Sequence, residues 1–163
     1  MNIFVLDSHP VTAAQMQCDK HVVKMCTESA QMLASALHRY GIDEALLPFT
    51  KAGTPYKSTH PHHPCTRWAG DTSTNFDWLC MHGLALCDEY YFRYQKIHAC
   101  QKPIDEMRRA NLAHEVLPIG DQTPFSQAVP DVFKSDNAVK AYRSYYKTKH
   151  FAKWKMGRSA PAW

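Results

Sequence analysis

Residues 12–41 read TAAQMQCDKHVVKMCTESAQMLASALHRYG. Val22, Met25, Leu33, Ala36 and Leu37 recur at helical steps and give the stretch one apolar stripe. Pro10 and Thr12 stand at its start, and Gly41 follows as a stop. The spacing predicts one long helix over roughly 12–39. At ~100° per residue, His21 and Glu28 lie only about 20° apart around its axis. Lys24 falls between them and Gln31 continues the line, so His21, Lys24, Glu28 and Gln31 form a polar stripe beside the apolar one. One reading is a solvated face held by a Lys24–Glu28 ion pair. The other is an active-site wall, since a carboxylate two turns from a histidine is a usable acid/base arrangement where both face a cleft.

Working outward, Phe76, Leu79, Leu86, Tyr90 and Tyr94 predict a second long helix from about 72–75 to about 98, with Glu89 and Arg93 as an i,i+4 pair. Pro103 suits the first turn of a shorter helix. Residues 116–130, VLPIGDQTPFSQAVP, read as loop. Ser135 or Asp136 is placed to cap a last helix that runs to about His150. No stretch alternates with period two, so the fold class is all-α, a bundle of three main helices with long irregular loops. A chain of 163 residues suits one domain.

NIFVLD at 2–7 is an extended lead-in, too short and without the basic start of a signal peptide. No apolar run approaches twenty residues, so no membrane partner is expected. The six cysteines include no C-x-x-C pair and are read as reduced, buried side chains of a cytosolic (cytoplasmic) protein. No obligate protein partner is evident.

Charge is unevenly spread. Residues 1–133 carry 11 Lys/Arg and 14 Asp/Glu, a net of −3, whereas residues 134–163 carry 8 Lys/Arg and one Asp, a net of +7. Tyr142, Tyr145, Tyr146, Phe151 and Trp154 are interleaved with those cations, as in a phosphate-backbone footprint with stacking platforms. Arg143, Tyr146 and Lys147 are the expected backbone contacts, and a solvated basic face over a core stripe is the alternative. On the second helix, Asn75, Trp78, His82 and Glu89 share a face. His82 and Glu89 would border the same cleft if this face meets the first helix, with Asn75 and His82 as substrate contacts, and the alternative is a buried hydrogen-bond network beneath it.

Residues 53–71, GTPYKSTHPHHPCTRWAGD, are too specialised for a plain turn. His60, His62, His63 and Cys65 are all capable of binding Zn²⁺, but adjacent histidines and intervening prolines fit closed-site spacing poorly, and no metal ligand is assigned. His60 and His63 either touch phosphate or sugar or hydrogen-bond the backbone of a loop that the prolines fix, and Trp68 is expected to anchor the core, with base stacking as its alternative.

Three motifs carry a resemblance. Asp19-Lys20-His21 followed by Glu28 resembles the D-x-H…E pattern on the first helix of the phage pyrimidine-dimer DNA glycosylases, the T-even endonuclease V family. VPDVFKSD at 129–136 resembles that family's I-P-x-E-F-[RK]-x-D segment, and GRSAPAW at 157–163 its closing R-P-x-W-[YF] segment. The resemblance implies a three-helix bundle with the N-terminus lying among the helices. It implies an enzyme that bends duplex DNA, attacks C1′ of the sugar with an N-terminal α-amine to form an imine, and needs no cofactor. It makes Glu28 the catalytic carboxylate, His21 its partner and Arg158 the tail's DNA contact.

Three departures accompany the likeness. Bulky Asn2 predicts that Met1 is retained, which makes the Met1 amine the nucleophile. Thr27 and Gln31 stand where the family carries arginines, with Lys20 and Lys24 as the nearby cations. The tail ends at Trp163, short of further aromatic and basic residues. The preferred reading is a DNA glycosylase, with or without an AP-lyase step, that excises a pyrimidine dimer or another damaged or modified base, and two other classes remain beside it. One is a hydrolase or transferase of nucleotides or hypermodified bases, metal-dependent in one form, and the other is a DNA-binding module without catalysis.

Overall fold

The computed structural model describes residues 1–163 and contains helices and loops with no strand. In chain order the helices are α1 (Pro10–Met16), α2 (Asp19–Arg39), α3 (Pro64–Ala69), α4 (Ser73–Tyr94), α5 (Gln101–Arg109), α6 (Leu112–Val116) and α7 (Ala138–Lys147), with single 3-10 turns at Glu44–Leu46 and Asp131–Phe133. The all-α expectation holds. No helix is long and apolar enough to cross a membrane.

The expected first helix is two. Gln17 and Cys18 are extended, with ψ of 144° and 160°. The broken helix leaves backbone groups that distant side chains satisfy. Arg93 donates to the carbonyls of Gln15 and Gln17, Trp154 Nε1 donates to that of Met16, and the Cys18 amide donates to the Tyr146 hydroxyl. Asp19 then starts α2, and its own carboxylate holds Arg93 and accepts from the Lys155 amide. Asp19 of the D-x-H motif thus ties the helix start to α4 and the tail.

Local chemistry accounts for the other ends. Thr72 caps α4 by accepting from the Asn75 amide, and Gln95 stops it in the left-handed region at φ 54°. Pro64 opens α3, a helix absent from the sequence expectation, and His63 caps it by accepting from the Cys65 amide. The cap of α7 is Asn137, not Ser135 or Asp136. Its side chain accepts from the Lys140 amide, while Ser135 pairs with Gln127.

Thirty-seven buried residues form one apolar cluster. The principal helix contact is α2 on α4, and α4 has Gly83 at its crossing. A Cβ there would stand 3.0 Å from both Ile104 Cδ1 and Ser29 Cβ. Through this cluster runs the N-terminal segment, where Ile3, Val5 and Leu6 have no exposed surface. Lacking a strand partner, it satisfies its amides locally. Asn2 Oδ1 accepts from the amides of Ile3 and Phe4, and Asn2 Nδ2 donates to the Ala128 carbonyl. Phe4 takes φ of 36°, a strained value for an aromatic residue, and its ring lies 4.5 Å from that of His21 in a stack.

Candidate active site

The buried lead-in delivers the chain's first amine to the polar stripe of α2. The Met1 α-amine stands 3.6 Å from Glu28 Oε2, with the Met1 side chain 2% and the Glu28 side chain 9% exposed. Lys24 Nζ stands 3.0 Å from Oε1. The carboxylate is therefore bracketed by two cationic nitrogens, the Met1 α-amine and the end of the largely exposed Lys24 side chain. A nucleophilic amine and a proton-handling carboxylate within such a distance can form and resolve an imine.

His21 is one turn from Lys24 and is packed between Phe4, Tyr146 and Phe151. Burial, reinforced by Lys149, Lys24 and Lys20, lowers its pKa to about 4, so it is neutral at pH 7. Its Nδ1 lies 2.8 Å from the Tyr146 hydroxyl, which accepts from the Cys18 amide. With that hydroxyl already an acceptor, the consistent arrangement is Tyr146 O–H donating to Nδ1, which leaves the imidazole proton on Nε2. His21 is thus built as a neutral donor, and Tyr146 as the residue that positions it.

The histidine loop reaches the site through one residue. His63 is half-buried. Its pKa is lowered first by burial and then by the Met1 amine, while Glu28 acts in the opposite sense. His60 is exposed and bonded to Thr59 Oγ1. Cys65 is buried with its thiol against the Tyr142 hydroxyl, so the loop does not converge on a common ion. Gln31, half-buried, continues the Glu28 face by one turn.

Asn75 and His82 belong to a different network. Asn75 donates to the Trp68 carbonyl and to Thr123 Oγ1, while His82 meets the Pro10 carbonyl and Gln17. Both are fully enclosed, which corrects the expectation that they touch substrate and favours the buried-network alternative. Trp68 is core, as expected, packed against Trp78 and Phe125.

The expected DNA contacts divide. Lys20 and Lys147 are exposed. Tyr146 is buried and engaged internally, so it offers a duplex no surface. Arg143 donates to the Leu6 carbonyl and lies 5.6 Å over the Trp163 ring. Arg158 grips both oxygens of Glu89, a carboxylate that also pairs with buried Arg93. Arg143 and Arg158 therefore hold the structure together. Lys149 was not singled out by sequence. It lies over the rings of Tyr145 and Phe4, at 4.0 and 5.3 Å, and its charge acts on His21. Its only sequence signal is membership in the basic tail.

A family model described as pyrimidine dimer DNA glycosylase matches residues 1–102. That span includes Met1, His21, Lys24, Glu28 and His63. No curated protein and no solved structure matches the chain. The chain belongs to the pyrimidine dimer DNA glycosylase family, and membership implies an enzyme with a DNA substrate.

Proposed function

Proceeding from that membership, we propose that the protein excises one base of a pyrimidine dimer in duplex DNA, with the Met1 α-amine as nucleophile and Glu28 as the acid/base group. The observation that supports this most directly is the 3.6 Å separation of the amine from the buried Glu28 carboxylate. The amine must lose a proton to attack, and Glu28 is the adjacent acceptor. The nitrogen lone pair then bonds to C1′ as the bond from C1′ to the base breaks. The base leaves with the electron pair. The nitrogen attached to C1′ then sheds a proton to solvent, and its lone pair forms the imine as the C1′–O4′ bond breaks, with Glu28 returning the proton it took from the amine to O4′.

The same carboxylate is suited to a lyase step. Removing a C2′ proton from the imine expels the 3′ phosphate by β-elimination, and water then hydrolyses the imine and frees the amine. Neutral His21, with its proton on Nε2, supplies a donor for a sugar or phosphate oxygen. Gln31, one helical turn beyond Glu28, and His63, whose ionisation Glu28 influences, are offered as further polar contacts to the substrate. Reaching C1′ requires the nucleotide to be drawn from the stack. Lys20, Lys24, Lys147 and Lys149 supply cations for the bent backbone on either side.

The test is borohydride trapping on a short duplex with one cyclobutane thymine dimer, beside undamaged and abasic duplexes. The expected result is a covalent band on the dimer duplex, placed at Met1 by mass spectrometry. A band carried by a lysine would remove Met1 as the nucleophile. Intact glycosidic bonds and no band on any duplex would remove the glycosylase itself.

A further inference from the structure

On the side of α2 turned away from Glu28, two thiols and an imidazole converge. Cys26 comes from α2, Cys87 from α4 and His98 from the loop after α4, and their ligand atoms all lie within 4.8 Å of one another. Both thiols are buried, and His98 is half-exposed on the wall of an open depression of about 510 Å³. The Cys100 amide donates to His98 Nδ1, while the Cys100 thiol is turned to Thr27 Oγ1 and the Tyr56 hydroxyl.

We propose that Cys26, Cys87 and His98 bind Zn²⁺, with water from the adjoining depression as the fourth ligand. Three observations carry this. The donors are soft thiols and an imidazole, the set that selects zinc over hard cations. They come from three separate segments, so a metal would fasten α2, α4 and the α4–α5 loop at one point. The spacing is also close to what an ion needs. Zn–S bonds of about 2.3 Å and Zn–N bonds of about 2.0 Å place tetrahedral ligands ~3.5–3.8 Å apart, a contraction of roughly 1 Å from the widest separation here. Binding releases the two thiol protons to solvent. His98 Nδ1 accepts from the Cys100 amide, a contact that orients the ring. Its half-exposed position gives the ion a route in.

The site lies outside the Met1–Glu28 chemistry and does not depend on it. The test uses the full chain, kept reduced with a phosphine and stripped of metal by chelator, then titrated with Co²⁺ and Zn²⁺. The expected result is one Co²⁺ per chain, with a thiolate-to-cobalt charge-transfer band that Zn²⁺ displaces. Zn²⁺ should also raise the thermal midpoint. The band should be lost in Cys26→Ser/Cys87→Ser. It should also be lost or strongly weakened in His98→Gln, at a half-exposed position, with a cooperative thermal melt of the metal-free variant showing that it folds. His62→Ala in the histidine loop should leave it unchanged. Absence of the band in the unaltered chain overturns the proposal. So does a band that survives His98→Gln undiminished, or one that His62→Ala abolishes.

Discussion

The Met1 α-amine and Glu28 Oε2 stand 3.6 Å apart, although 26 residues separate them in sequence. The contact exists because the apolar lead-in is buried along its length and Asn2 fixes its first turn. Replacing the carboxylate by its isosteric amide keeps the shape and removes the proton acceptor. Glu28→Gln should bind a dimer-containing duplex normally and lose roughly 10²–10⁴-fold in base excision, the range for general acid–base groups. Single-turnover release of the base measures this, and full activity in the variant would disprove the role.

Duplex affinity should report which cations are free. Lys147→Ala and Lys149→Ala should each lower the salt dependence of binding by about 0.9 in the slope of log K against log[salt], since each removes one phosphate contact. Arg158→Ala should leave that slope unchanged, because its guanidinium is committed to Glu89. A fall in slope for Arg158→Ala would return it to the DNA interface.

Arg93 should dominate stability. Its guanidinium is fully buried among Glu89, Asp19 and the carbonyls of Gln15 and Gln17. Arg93→Ala leaves buried carboxylates without their main partner, a change that typically costs ~3–5 kcal/mol. Arg158→Ala should cost less, because Arg158 is partly exposed and Arg93 still neutralises Glu89. Denaturant midpoints of the two variants rank them, and equal losses would contradict this assignment.

Two histidines should make the fold acid-sensitive. Burial lowers the pKa of His82 to about 4, and burial with Lys149, Lys24 and Lys20 does the same for His21. Both have an ordinary value of 6.5 when unfolded. Between pH 6.5 and about 4 the unfolded chain therefore binds protons that the native chain does not. Stability is fully present above 6.5 and falls with decreasing pH, by up to about 1.4 kcal/mol per pH unit for each histidine. Chemical denaturation from pH 7.5 to 4.5 should show this slope, and His82→Gln should reduce it.

Gly83→Ala tests the closeness of α2 and α4. Alanine improves helix propensity by ~1 kcal/mol. Its methyl would meet Ser29 Cβ and Ile104 Cδ1 at 3.0 Å, and overpacking of that kind costs ~1–3 kcal/mol. Net destabilisation is expected in a thermal melt. A gain in midpoint would mean that the α2–α4 crossing yields readily.

Much of this molecule could be read locally. The stripe of Val22, Met25, Leu33 and Leu37 specified α2, because a 3.6-residue period is a property of neighbouring residues alone. The same period put His21, Lys24 and Glu28 on one face, and the absence of alternating stretches gave the all-α class. What only the tertiary structure decided involves partners far apart in the chain. The break at Gln17–Cys18 lies inside a helical pattern, and it exists because Arg93, Tyr146 and Trp154 take up the backbone groups that a continuous helix would have bonded. The basic tail showed that cations were present. It did not show that Arg158 is spent on Glu89 or that Lys149 lies over Phe4. Nor did any spacing join Cys26, Cys87 and His98, since a cluster drawn from two helices and a loop has no sequence period. The sequence by itself determined which faces the helices have. Tertiary packing decided which polar groups meet across them, because a buried donor or charge must find a partner wherever the fold places one.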